Sequence, residues 1–232
     1  MLGPVWFVLY PALFLSMYLF LYLVVFRVRF PELGEFSYVV FVFSGLIPYL
    51  ALMECASFAT SVIRQNIHLI KNVMVPIDIV PARVALTAML VQIPGLIILT
   101  VLSVIDGAFS AKVAVLPLVL VTEFVFFLGL AYFLSALGGL FPDLSAGINI
   151  ILIFLLFISP IAFPPDMVPE SAALVIQLNP VSHLIGMFRG VMLDHQALNF
   201  IQIGGFALGS AVFLILARNF FNRFKAYIVD HE

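Results

Sequence analysis

Glu54 and Glu123 interrupt long apolar runs, and Arg189 sits in a shorter one, LIGMFRGVML. At membrane depth a charged group costs about 2.5–3.5 kcal/mol on insertion scales, so each should face protein, water or an opposite charge. Proton-coupled chemistry needs a relay of titratable groups. The two carboxylates are isolated from one another in sequence, which leaves interhelical hydrogen bonding open beside a functional role. A guanidinium in an apolar segment wants a planar anion. Asp194, Asp166 and a phosphorylated substrate are the candidate partners for Arg189. His68, His183 and His195 do not share a helix at metal-ligand spacing, and Cys55 is the single cysteine, so no metal site is expected. The sequence contains no G-x-x-x-x-G-K-[ST], G-x-S-x-G or H-E-x-x-H. No catalytic residue is therefore assigned, and the chain is not its own phosphate-loop ATPase.

The elements that must carry these groups follow from composition. Of 232 residues, 64% are hydrophobic and 9% charged, against roughly 45–50% and about 25% in soluble domains. This is the composition of an integral membrane protein. The apolar runs are continuous rather than alternating, which selects helices over a barrel. At about 20 residues per span, the length admits six spans with loops and hardly eight. The net charge of -2 implies no nucleic-acid partner. The N-terminus lacks a basic region and its apolar segment is too long for a cleavable signal.

In chain order, span one is predicted from Val5 to Phe26, with Trp6, Tyr10, Tyr18 and Tyr22 as interface anchors, packing residues or a sugar-stacking track. Span two covers Tyr38 to Val62, span three Arg83 to Ile105 and span four Val113 to Leu140. Span five runs from Ala146 to Ser159 and reaches across only if it continues into Pro160 to Phe163. Two short helices, Pro169 to Leu178 and Ser182 to Met192, are too brief to cross and read as re-entrant. Span six is Ala197 to Ala217, followed by a charged tail. No repeat divides the chain, which reads as one membrane domain over residues 1–232. With both ends inside, cytoplasmic Arg64, Lys71, Arg83, Arg218, Arg223 and Lys225 outnumber exterior Arg27, Arg29, Lys112 and Arg189. That is a weak positive-inside bias.

Between spans two and three lies the stretch RQNIHLIKNVMVPIDIVP, Arg64 to Pro81. Ile67, Leu69, Ile70, Val73 and Met74 recur among polar groups at the spacing of a short amphipathic helix, with Pro76 and Pro81 expected to stop it. Asn66, Leu69, Ile70, Lys71 and Pro76 resemble the cytoplasmic coupling loop of type-2 ABC exporter permeases, in particular the subgroup that exports lipid-linked polysaccharides and teichoic acids. Three further motifs resemble that family in the same order. They are LGPVW from Leu2 to Trp6, the turn FPDLS with Asp143, and NPVSHLIGMFR with Asn179, Pro180, Ser182, Ile185 and Arg189. In that family an amphipathic surface helix precedes the first motif, whereas here Met1 directly precedes Leu2.

The resemblance implies an all-α fold with six transmembrane helices, a cytoplasmic coupling helix between spans two and three, and two re-entrant helices between spans five and six. It implies a homodimer in the bacterial cytoplasmic (inner) membrane, served by two copies of a separate ABC ATPase that holds the ATP and Mg, and a lipid-linked glycan as cargo. Asn179, Pro180, Ser182 and Arg189 would form an outer gate or substrate contact. Trp6, Tyr10, Tyr18, Tyr22, Glu54 and Glu123 are candidates for the pathway. An exporter of drugs or small molecules would share this fold, and an intramembrane lipid-modifying enzyme is the other alternative.

Overall fold

A computed structural model describes residues 3–25, 35–73, 76–107, 109, 111–164, 167–194 and 196–231. Every regular element among them is helical. Apolar helices satisfy their own backbone groups, which lipid requires. Helix α1 (Gly3–Leu19) runs into a π-helical turn (Phe20–Val25). It is followed by α2 (Glu35–Ala59), the short helices α3 (Val62–Gln65) and α4 (Ile67–Val73), and α5 (Ile79–Ile105). A 3-10 turn (Ala111–Val115) leads into α6 (Leu116–Leu140). Then come α7 (Leu144–Ile158), α8 (Glu170–Leu178), α9 (Pro180–Met192) and α10 (Phe200–His231).

Four stretches are long and apolar enough to cross a bilayer on their own among the described residues: Phe36–Ala59, Ile79–Ile105, Ala111–Leu140 and Phe200–Val229. Helix α7, with 15 residues, falls short alone, as the sequence suggests. The chain is a multi-pass membrane protein.

Two differences from the expected boundaries concern the ends of spans. Pro81 does not stop a helix; it lies in the first turn of α5, where a missing N–H leaves no hydrogen bond unmade. The C-terminal stretch is not a tail after a span ending at Ala217, because α10 continues to His231. Phe221 and Ile228 lie buried along that extension, so it is held by packing.

The fold divides into two compact units. The first comprises the chain up to Leu50, Val91–Val119 and Leu156–Ile203. Its core holds Tyr38, Phe43, Leu46, Leu99, Leu184, Ile185 and Phe188, all fully buried. Gly95 lets α5 approach α2, since a Cβ there would stand 3.1 Å from Ile47 Cγ1. Lys112 ties the link after α5 to the stretch after α9. It donates to the carbonyls of Asp194 (2.7 Å) and Gln196 (3.0 Å), with the Asp194 carboxylate at 3.7 Å.

The second unit comprises Ala51–Leu90, Leu120–Leu155 and the chain from Gly204 onward. An aromatic seam joins α6 to α10: Phe126 to Phe206 (5.3 Å between ring centroids), Phe133 to Phe220 (5.7 Å) and Tyr132 to Phe221 (5.3 Å, edge-on). Such pairs are favourable beyond their area. They account for part of the heavy use of Phe, 25 residues in all.

Candidate functional site

The polar loop after α2 is built around Asn66. Its backbone N–H closes α3 on the carbonyls of Val62 (3.2 Å) and Ile63 (3.1 Å), and its side-chain amide donates to the Val62 carbonyl (2.7 Å). Its own carbonyl accepts from Leu69 and Ile70 N–H groups at 3.0 Å each, which opens α4. A single residue is thus the joint of a helix–helix corner. Val62 and Ile63 bury into the unit, while on α4 Leu69 is 49% exposed beside exposed His68 and Lys71. An aliphatic side chain half in water on a polar loop is a ready anchor for another surface. Pro76 lies in the exposed turn into α5, accepting from Ile79 N–H at 3.0 Å. Met74 lies outside the described residues.

Both sides of this corner are fastened. On the α3 side, Arg64 Nη2 donates to the Gly138 carbonyl near the end of α6 at 3.2 Å. Gly138 is itself pressed onto the chain at Thr60, whose carbonyl would overlap any Cβ placed there. Backbone cannot yield as a flexible side chain does, so Gly138→Ala should cost about 1–3 kcal/mol, the usual scale of overpacking. A lowered unfolding midpoint of the purified protein would register it, with Gly147→Ala, whose Cβ meets nothing within 4 Å, as the control. On the α5 side, Asp78 is clasped between two helices. Tyr132 Oη of α6 donates to its carbonyl at 2.9 Å, and Lys225 Nζ of α10 donates to its carboxylate at 3.0 and 3.1 Å. Each partner of the ion pair is about a third exposed, so the pair sets geometry more than stability.

The second cluster surrounds Arg189. Helix α7 ends at Ile158, and residues 159–163 are bent without helical pairing. Carbonyls freed at such a break need donors. Arg189 supplies them: Nη1 donates to the Pro160 carbonyl (2.7 Å), and Nη2 to the carbonyls of Ile161 (2.5 Å) and Phe41 (3.4 Å). Tyr38 Oη donates to the Ala162 carbonyl at 3.0 Å. The guanidinium carbon lies 3.6 Å from the centre of the Phe41 ring, a cation–π geometry. Arg189 is 4% exposed. It does not pair with Asp194, which faces Lys112; Asp166 lies outside the described residues. Among the described residues, carbonyl dipoles and a ring compensate this cation. Gly45 makes the space, since a Cβ there would meet Arg189 Nη2 at 3.1 Å.

The Asn179-Pro180 pair starts α9, two residues earlier than the sequence suggests. The Asn179 side chain accepts from Val181 N–H (2.9 Å) and donates to Ser159 Oγ (3.0 Å), with Pro180 in the first turn. This is an N-cap with proline where a helix best tolerates it. Ser182 Oγ is buried with no hydrogen-bond partner among the described residues.

Trp6 and Tyr10 are exposed on α1, Tyr18 is buried, and the side chain of Tyr22 lies outside the described residues. Tyr10 stacks obliquely on Phe14 at 4.9 Å. Glu123 is fully buried in α6. Glu54, half-buried, lines a small cavity with Arg83. His183 contacts the Gln177 carbonyl at 2.7 Å, and His195 lies outside the described residues. Sequence reasoning missed Tyr38, Tyr132, Gly138 and the Asp78–Lys225 pair.

Residues 4–193 match the family described as ABC-2 type transporter. The chain is 25% identical over 228 residues to the O-antigen export system permease protein RfbA of Klebsiella pneumoniae, covering 97% of this chain and 85% of that protein. It is 26% identical to the protein of the same name from Myxococcus xanthus (95% and 84% covered). It is 27% identical to the polysialic acid transport protein KpsM of Escherichia coli (87% and 80% covered). With its all-helical, strongly apolar fold and a family match over most of its length, the chain belongs to the ABC-2 type transporters.

Proposed function

We propose that this chain is the membrane subunit of an ATP-driven exporter that moves a lipid-linked polysaccharide, of the O-antigen, capsule or teichoic-acid-like class, across the bacterial cytoplasmic membrane. The observation that carries this reading is the likeness, over most of both chains, to permeases whose names specify O-antigen export and polysialic acid transport. The chain works as a homodimer with two copies of an ABC ATPase encoded separately, which fits the lack of a phosphate loop here. Six helices span, with α1 and its π-helical turn first and α7 fifth, and both ends lie in the cytoplasm.

Helix α4 is the coupling helix. Leu69 and Ile70 enter a groove of the ATPase, Lys71 faces its rim, and the Asn66 corner, with Pro76 at the far end, fixes how α4 is presented. The Arg64–Gly138 contact and the Asp78 clasp carry the motion of α4 to α6 and α10. On the outer side α8 and α9 are re-entrant, and Asn179, Pro180, Ser182 and Arg189 shape the gate there, Arg189 by holding the broken end of α7. Trp6, Tyr10, Tyr18 and Tyr22 with Glu54 and Glu123 border the pathway.

The sidedness has a direct test. In intact spheroplasts, Asp194→Cys should react with an impermeant thiol reagent and Lys71→Cys should react only after lysis; outside labelling at position 71 would overturn the topology. The function is tested by co-purifying the chain with its ATPase and measuring ATP turnover. Lipid-linked glycan should stimulate turnover, whereas stimulation by hydrophobic drugs and none by the glycan would overturn the reading.

A further inference from the structure

A cavity of about 160 Å³ opens in the second unit between α2–α3 and the start of α5. It is lined by Glu54, Phe58, Val62, Gln65, Arg83, Val84 and Thr87. Its polar side chains are not equivalent. Gln65 Nε2 donates to Ser61 Oγ (2.9 Å) and Thr87 Oγ1 donates to the Arg83 carbonyl (2.9 Å), so both are engaged within the chain. The carboxylate of Glu54 and the guanidinium of Arg83 have no hydrogen-bond or ion-pair partner among the described residues, and they form no ion pair with each other. One small cavity therefore presents an anion and a cation, held apart, above an apolar wall of Phe58, Val62 and Val84.

The depth of the two charges narrows the ligand. Helix α5 has 27 residues and α2 has 25, about 40 and 37 Å at ~1.5 Å per residue. Against a hydrocarbon core of about 30 Å, each end extends roughly 4–5 Å into the headgroup layer. Arg83 lies about 6 Å from the start of α5 and Glu54 about 7–8 Å from the end of α2. Both charges thus sit within a few ångströms of the headgroup–hydrocarbon boundary, where Arg reaches toward phosphate. The ligand is then a lipid headgroup with a phosphate for Arg83 and a cation for Glu54. A carboxylate prefers a cation with N–H donors, because charge-assisted hydrogen bonds are the strong ones. A quaternary ammonium has none and seeks an aromatic cage, for which Phe58 is the only ring among the described lining residues.

We infer that the Glu54–Arg83 cavity is a binding site for a phospholipid with a phosphate and a primary ammonium, the phosphoethanolamine headgroup, seated beside the α3–α4 corner. The inference rests on α2 and α5 spanning the membrane and is independent of what the protein exports.

The test uses the full chain in nanodiscs of synthetic phosphatidylethanolamine, phosphatidylglycerol and phosphatidylcholine in equal parts, with retained lipid counted by native mass spectrometry. Wild type should keep phosphatidylethanolamine over both others by roughly tenfold, the discrimination that one charge-assisted hydrogen bond supplies. Glu54→Gln should erase the preference over phosphatidylglycerol while lipid is still retained, and Arg83→Gln should reduce retention of all three. Arg83→Met, close in length but uncharged, stands in should the glutamine variant not fold. Equal retention of phosphatidylglycerol and phosphatidylethanolamine by wild type would overturn the proposal. So would retention seen only when lipid-linked glycan is added, which would assign the cavity to the cargo's own phosphate. Neither result depends on export.

Discussion

Replacing both Leu69 and Ile70 by Asp should detach the ATPase while leaving the permease folded. The two residues follow the Asn66 joint on a helix of seven residues, Leu69 half in water and Ile70 partly covered. Apolar anchors in a partner's groove are the usual hot spots of helix-mediated contacts, at about 2 kcal/mol or more each. Acting additively, two such losses weaken association roughly a thousandfold at 1.4 kcal/mol per tenfold. Val62, Ile63 and the Arg64–Gly138 bond hold the corner itself, so the double variant should purify with an unchanged unfolding midpoint. Co-purification of the ATPase and export should both be lost. Retained co-purification with normal export would remove α4 from the coupling role.

Arg189 should show the other large effect, graded by donor geometry rather than by charge. Arg189→Ala strips the donors from the carbonyls of Pro160 and Ile161, and a buried polar group without a partner costs about 1–3 kcal/mol. Arg189→Lys keeps the charge but replaces a planar fork by a point donor. It cannot keep both short bonds with the stacking on Phe41. The unfolding midpoint should therefore fall in the order Arg, Lys, Ala, and export should fall in parallel while ATPase binding persists. A direct substrate contact would give another pattern, in which the Ala variant stays as stable as wild type and only export suffers. Tyr38→Phe, which removes the donor to Ala162, should behave as a milder version of the Arg189 loss.

Four of the spans were legible because apolar runs of 24 to 30 residues admit few alternatives. The break at Asn179-Pro180 was legible too, since an Asn that caps and a Pro that tolerates the first turn are written in side-chain types. Pro81 misled because proline both ends helices and begins them, and local sequence does not say which. The C-terminal extension of α10 reads as a polar tail until Phe221 and Ile228 are seen to bury.

The cost of Arg189 in an apolar run is readable in the sequence, which offers Asp194, Asp166 or a substrate phosphate as its partner; the partners among the described residues are main-chain carbonyls, which every residue carries and no side-chain type marks. Asp78 and Lys225 are 147 positions apart, and nothing in either segment marks the other as its partner. Gly138 reads as one of many small residues, and only the close approach of Thr60 makes it irreplaceable.

The central claim, ATP-driven export of a lipid-linked glycan through this subunit, is tested most directly in proteoliposomes. The chain and its ATPase are reconstituted with a fluorescent lipid-linked glycan, and the membrane face exposing the glycan is read with an added glycosidase. In vesicles with the ATPase outside, addition of ATP and Mg should move the glycan into the lumen and protect it from the enzyme, and the Leu69, Ile70 double Asp variant should abolish that protection. Glycan that stays equally accessible with and without ATP, in vesicles whose ATPase is active and bound, would contradict the account.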